Sequence, residues 1–281
     1  DVLAGSTYVN VHTADHPGGE VRGQLVTAGT ALPGQELGLL RADLRGSHEV
    51  PPITTTIASG SAVMAMDVDG VSLHYVVAVS DIADITAAHL HVGQDGANGP
   101  PIVFLYDATG ANGPGGAFGP GDPLRGTVTL NPTQAGQLLD GGIYLNVHTT
   151  ANPGGEIRGQ VLPYAAEALT TTLTGAQEVP PVETAASGML RVRPSGAAGM
   201  LAYGLSVTDI VSATAAHLHR GRPGTNGPVV TTLFEPSVHG VLAPGSPVTG
   251  EVAASALLLV DLYGGNLYAN VHTAAHSGGE V

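Results

Sequence analysis

Three stretches of this sequence are versions of one another. Tyr8 to Leu25 reads YVNVHTADHPGGEVRGQL, Tyr144 to Leu162 reads YLNVHTTANPGGEIRGQVL, and Tyr268 to Val281 reads YANVHTAAHSGGEV. A second motif occurs as HEVPP from His48 and QEVPP from Gln177; a third occurs as AAHLHVGQDGANGPPIV from Ala87 and AAHLHRGRPGTNGPVV from Ala215. His89 and His217 stand 128 positions apart and Glu49 and Glu178 stand 129 apart, so the period is about 125 to 130 residues. Repetition at a fixed spacing means that one packed unit recurs, and this period suits a single β-sandwich. A complete unit is expected over 39–162, and a second over 168–281 without its last, RGQ-containing strand. Residues 1–27 correspond to the closing strands of a preceding or exchanged unit, with linkers at 28–38 and 163–167. The sequence opens and closes inside one motif. That fits a segment of a longer array, or a leading segment that completes a sheet within the molecule or in a neighbour.

Composition narrows the class. Gly 41 and Pro 20 are high, yet 43% of residues are hydrophobic, enough for a packed core. Runs of Val, Leu, Ala, Ile and Thr between turn residues favour strands over helices. There is no Cys, so disulfides and thiolate ligands are excluded. The formal net charge is −14 and all nine basic residues are Arg, which argues against nucleic acid and anionic lipid as partners. No apolar run approaches the roughly 20 residues of a membrane span, so no membrane insertion is expected.

Within the complete unit, Ala62–Val68 and Val71–Val79 flank Asp69-Gly70 as a hairpin. Ile85–Val92, Ile102–Tyr106 and Leu124–Leu130 read as further strands. Asn131-Pro132 reads as an N-cap followed by Pro at the first helical position, opening a short helix that ends at Gly141-Gly142. Ile143–Thr149 and Glu156–Leu162 close the unit around the turn Pro153-Gly154-Gly155. Seven or eight strands and one helix imply an antiparallel sandwich or barrel.

The 12 histidines carry the chemistry. His89-Leu90-His91 and His217-Leu218-His219 are H-x-H pairs on predicted strands, where i and i+2 leave the same face with roots roughly 7 Å apart. His148 and its equivalent His272 lie on the strand of the NVHT motif, opposite its apolar face. If the apolar faces make the core, all these rings point away from it and meet on a surface or in a seam between domains. Three neutral imidazoles suit copper, or alternatively zinc. His12 with His16, and His272 with His276, add further ligand candidates at the outer copies of the motif, where the middle copy has Asn152. His48, His74 and His239 read as ordinary polar contacts. Glu49 and Glu178 read as strand-edge charges or as partners of ligand histidines, and Glu156–Arg158 as an ion pair on one strand face. No nucleophile elbow, phosphate loop or dinucleotide fingerprint is present.

The set QEVPP, AAHLHxGxxGxNGP and YxNVHTxxxPGGEIRGQ resembles the CHRD domain, a family named for its occurrence in chordin, over nearly the whole chain. The resemblance implies a secreted protein, at the cell surface or beyond it, built of tandem antiparallel immunoglobulin-like or superoxide-dismutase-like β-sandwich domains. The expectation is thus an all-β chain with one short helix per domain. It would be an extracellular structural protein that self-associates into a filament or surface array by strand complementation and holds copper-type ions at His89, His91, His148, His217, His219, His272, His12, His16 and His276. The alternatives are a soluble metal-binding or storage module, or a superoxide dismutase-like copper enzyme. The absence of Lys for steering and the strong negative charge weigh against the enzyme.

Overall fold

A computed structural model of the chain describes residues 8–11, 21–24, 38–67, 69–195, 199–210 and 212–281. The chain divides into two compact units, residues 1–33 and 34–281. In the first, β1 (Tyr8–Val11) and β2 (Val21–Gln24) pair antiparallel, Tyr8 with Gln24 and Asn10 with Arg22.

The second unit holds both repeats. The first comprises β3 (Leu39–Arg45), β4 (Ser59–Met66), β5 (Ser72–Ser80), β6 (Ile85–Val92), β7 (Pro101–Asp107), β8 (Leu124–Thr129), α1 (Pro132–Leu139), β9 (Ile143–Thr149), β10 (Ile157–Gln160) and β11 (Leu162–Pro163). The second comprises β12 (Leu169–Thr174), β13 (Ser187–Pro194), β14 (Met200–Thr208), β15 (Ala213–Arg220), β16 (Val229–Phe234), the single turn α2 (Pro236–His239), β17 (Val248–Ala253), α3 (Ala256–Tyr263) and β18 (Leu267–Thr273).

Local chemistry accounts for these elements. In β3, burial alternates along LLRADLR, so Arg41, Asp43 and Arg45 keep one wet face; this strand is absent from the sequence reading. Asp69 Oδ1 accepts from the amides of Val71 and Ser72, and Gly70 takes a φ of 70°, which closes the β4–β5 hairpin. Asn131 and Gln134 form a capping box at the start of α1, two orphan helix amides being satisfied at once.

The first repeat forms one antiparallel sheet in the order β7-β6-β9-β10-β3-β4-β5-β8, with β11 beside β3. It folds back on itself as a sandwich. Leu40, Leu44 and Leu73 from one layer share a dry core with Leu90, Leu105 and Leu145 from the other. The Tyr75 hydroxyl donates across the layers to the Leu105 carbonyl at 3.2 Å. β10 is the join: it pairs with β9 along its length and with β3 at Arg158–Arg45. The second repeat keeps the layers as separate sheets, β12-β13-β14-β17 and β16-β15-β18. Tyr203 bonds the Leu233 carbonyl as Tyr75 bonds Leu105. Among the described residues no strand lies between β18 and β12.

The repeats share a core. Leu258, Leu259 and Val260 of α3 cluster with Leu39, Val63, Ala65 and Val76 of the first repeat. Asp261, fully buried, accepts hydrogen bonds from Arg125 of the first repeat and from Arg220 of the second. The expected linker at 163–167 is built into this junction: Pro163 is part of β11, and Tyr164 N donates to Leu39 O at 2.9 Å.

Candidate metal centre

β6 and β9 are neighbours in the sheet, with Ala87 opposite His148 and His89 opposite Asn146. This register places His89, His91 and His148 on one face. One ring nitrogen from each lies within 4.8 Å of the other two, and β15 and β18 bring His217, His219 and His272 together in the same way. Three nitrogens bound to one ion at about 2 Å stand at most about 4 Å apart, so closing on an ion requires shifts of roughly an ångström.

The rings are held in defined tautomers. His91 Nδ1 donates to Gly99 O at 2.9 Å and His148 Nδ1 donates to Pro153 O at 3.1 Å. Both therefore present an unprotonated Nε2, the arrangement that carbonyl partners impose on ligand imidazoles. His89 Nδ1 donates to His148 Nε2 at 3.2 Å. In the second repeat His219 Nδ1 bonds Gly227 O, His272 Nδ1 bonds Ser277 O, and His217 Nδ1 bonds His272 Nε2 at 3.1 Å. The Nε2 atoms of His89, His91 and His219 are buried without a partner. Buried polar atoms are rarely left so, and bare imidazole nitrogens are metal donors, so the residues fit a transition-metal ion.

The glycine of each N-G-P turn makes this geometry possible. A Cβ at Gly99 would lie 1.6 Å from the Val92 carbonyl oxygen, and one at Gly227 equally close to that of Arg220. Only glycine lets the loop approach the strand and bring its carbonyl to His91 or His219.

Burial lowers the proton affinity of the rings. His89 is pushed down to about 4 by desolvation, then by the neighbouring His148 and His91. Desolvation also lowers His91, His148, His217 and His272. At neutral pH these five imidazoles are unprotonated and competent as ligands.

The two centres differ in cover. Phe104 packs edge-on against His89, with centroids 4.3 Å apart, and His91 and His148 are buried. In the second repeat Thr232 stands opposite His217 where Phe104 stands near His89, and all three histidines are only half-buried. A stack backs each centre: Tyr144 lies on His91 with centroids 4.9 Å apart, and Tyr268 on His219 at 5.0 Å.

The histidines do leave the face away from the core, but they meet neither on open surface nor in a seam between domains. Each trio assembles within one repeat, because the H-x-H strand and the NVHT strand are adjacent. In the first repeat that face is roofed: Asn98 of the loop bonds Val50, and Arg158 reaches under it. His276 is not in either cluster; its amide donates to Thr273 Oγ1, and its carbonyl accepts from the amides of Thr273 and Gly279. His12 and His16 lie outside the described residues. His48 bonds the Asp43 and Arg158 carbonyls, and His74 bonds Thr127 and Asp67.

Two polar assignments change. Glu156 and Arg158 do not pair: Glu156 accepts from Thr56 and Thr149, while the Arg158 guanidinium runs the other way, over the Tyr144 ring at 3.4 Å. Glu49 is no strand-edge charge. It is buried, accepts from Asn146 at 3.4 Å, and desolvation raises its carboxyl to about 7 against the opposing pull of Arg158. Sequence reasoning missed Phe104, Tyr144, Tyr268 and the Gly99 and Gly227 carbonyls. The repetition of Tyr before NVHT and of N-G-P after H-x-H was the signal that could have found four of them.

The model of the CHRD domain matches residues 1–25, 40–161 and 169–281. Chordin of Xenopus laevis is 31% identical over 183 residues, covering 62% of this chain. The chain spans only 18% of that relative's length. No solved structure matches the chain. With the family's model matched along nearly all of its length, this chain belongs to the CHRD domain family.

Proposed function

We propose that the chain is an extracellular structural protein that binds a copper-type ion in each of its two three-histidine centres and associates with copies of itself by strand complementation. The observation that carries the metal reading is the pair of histidine trios, each with main-chain carbonyls fixing the tautomers and with buried unpartnered nitrogens. All-nitrogen donors favour Cu²⁺ over other divalent first-row ions, with Zn²⁺ the alternative. When bound, the ion would cross-link β6 to β9 and β15 to β18, adding its binding energy to folding. The extracellular assignment and a role in protein interaction rest on the likeness to chordin. Binding and scaffolding account for this site without turnover.

The test is titration of the metal-free protein with Cu²⁺ and with Zn²⁺, followed by elemental analysis and thermal unfolding. Two ions per chain and a raised unfolding temperature are expected, with one ion lost in each of His91→Ala and His219→Ala. An unfolding temperature that neither ion moves would overturn the metal reading. Association is read separately by electron microscopy. Filaments support it, and persistent monomers at high concentration, metal-loaded, leave a soluble metal-binding module.

A further inference from the structure

The two histidine centres share one plan and differ on one flank. β7 and β16 border the H-x-H strands on the side away from β9 and β18. In the first repeat this border supplies Phe104, which stands opposite His89 in the pairing of β6 with β7. The ring edge of Phe104 meets His89 with centroids 4.3 Å apart. His89 Nε2 is cut off from solvent there and has no hydrogen-bond partner.

Phe104 is backed by a fixed wall. Asp107, at the end of β7, accepts from Thr109 N, Thr109 Oγ1, Asn112 N and Asn112 Nδ2. Its own amide donates to Pro114 O at 2.9 Å. Four bonds satisfy the acceptor sites of one carboxylate, and they tie the loop after β7 to its strand. Gly113 of that loop comes so close that a Cβ there would lie 3.1 Å from the Cβ of Phe104. Tyr106 secures the far end: its hydroxyl donates to Gly116 O at 3.3 Å and its ring packs edge-on against Phe118.

The second repeat keeps the histidines and drops the wall. Thr232, small and exposed, stands opposite His217. Glu235 follows β16 where Asp107 ends β7, and its carboxylate receives a single hydrogen bond among the described residues, from Ser237 Oγ at 3.1 Å. The chain then enters α2 instead of a glycine-rich loop. His219 Nε2 is sealed and unpartnered, as His91 Nε2 is. His217 Nε2 also has no partner among the described residues, yet it keeps contact with solvent, unlike its counterpart His89 Nε2.

Three imidazoles leave at least one position on a transition-metal ion to be filled from elsewhere. Beside His89 that space is bordered by hydrocarbon, which donates no lone pair. Beside His217 it is bordered by a short hydroxyl side chain and water. We propose that the second centre, when it holds a copper-type ion, keeps an exchangeable coordination position on its β16 side that takes a small monodentate donor from solvent, of azide size, and that Phe104 closes this position in the first centre. This deepens the metal reading above and rests on it.

Azide titration of the full chain loaded with Cu²⁺ tests it, followed by the azide-to-copper charge-transfer absorption and by electron paramagnetic resonance. One azide is expected per two coppers, with half of the copper signal shifted. His219→Ala, which removes the second ion, should abolish the response, and His91→Ala should leave it. Phe104 is 36% exposed and belongs to neither dry core, so Phe104→Thr leaves the fold in place and should raise the ratio to one azide per copper. Thr232→Phe, the reverse exchange on an exposed position, should abolish the response without loss of copper. Two bound coppers that azide leaves unmoved overturn the proposal and leave the metal reading standing. So do two coppers that both shift in the wild-type chain, a response that survives His219→Ala, or a ratio that Phe104→Thr does not change. A chain that takes up no Cu²⁺ removes both readings.

Discussion

At the residue scale, burial sets the proton affinity of the histidine rings. Burial depresses His89 to about 4 and lowers His91 and His148. Unfolded histidines titrate near 6.5, so the unfolded chain binds more protons at acid pH. Stability contributed by the neutral rings is complete above about pH 6.5 and is lost as pH falls toward 4. Unfolding temperatures of the metal-free protein should therefore drop across this window, and a His89→Gln variant should flatten the drop. Glu49 has the opposite sign. Its raised carboxyl favours the folded state below pH 4.5, and that contribution is lost as pH rises through about 7. Glu49→Gln should thus stabilise the protein at pH 8, by on the order of 1–3 kcal/mol, and have little effect at pH 4.5; denaturant midpoints at the two pH values check it. Phe104 predicts a kinetic difference. A chelator should strip metal from the second centre faster than from the first, and Phe104→Thr should bring the two rates together in stopped-flow measurements.

At the element scale, two short pieces hold disproportionate weight. The N-G-P turn carries the carbonyl that orients His91. Gly99→Ala forces that turn away from β6, and its expected effect is a loss of about 10–100-fold in metal affinity at the first centre, the usual range for an orienting partner. β10 is only four residues long, yet it joins both layers of the first repeat. Arg158→Ala would empty a buried slot and leave the Asn98, Gln94 and Ala97 oxygens without their donor. Its expected cost is about 3 kcal/mol, read as a lower denaturant midpoint. Among the described residues the second repeat has no counterpart of these contacts. Tyr144 is 2% exposed, while Tyr268 is only half-buried.

At the scale of residues 34–281, the two repeats are alike in fold but not in how they dock. α3 presents Leu258 and Val260 to the first repeat, where α1 has Gln134 and Gly136 at the same helical positions. The receiving face has Val63, Ala65 and Val76 where the second repeat has Arg191, Arg193 and Gly204. Helix-on-sheet docking is therefore built once in this unit, and its surfaces do not extend an array by the same contact. Asp261 holds the junction between two arginines that are each about a third exposed. Asp261→Asn should cost about 2 kcal/mol, below the roughly 3–5 typical of a fully buried pair because water screens the arginines. Calorimetry should show the single wild-type transition broaden or split as the repeats uncouple.

The repeat, the all-β class, the hairpin at Asp69-Gly70, the capped helix at Asn131 and the membership of both histidine trios were legible in the sequence, because each rests on local rules of turn, cap and strand periodicity or on direct repetition. The exclusion of His276, the roof over the first centre, the separation of Glu156 from Arg158, the burial of Glu49 and the helix that fuses the repeats were not. Each depends on which strands become neighbours and which face a loop covers. A period of two says that side chains share a face, but only strand pairing across the sheet says what that face meets.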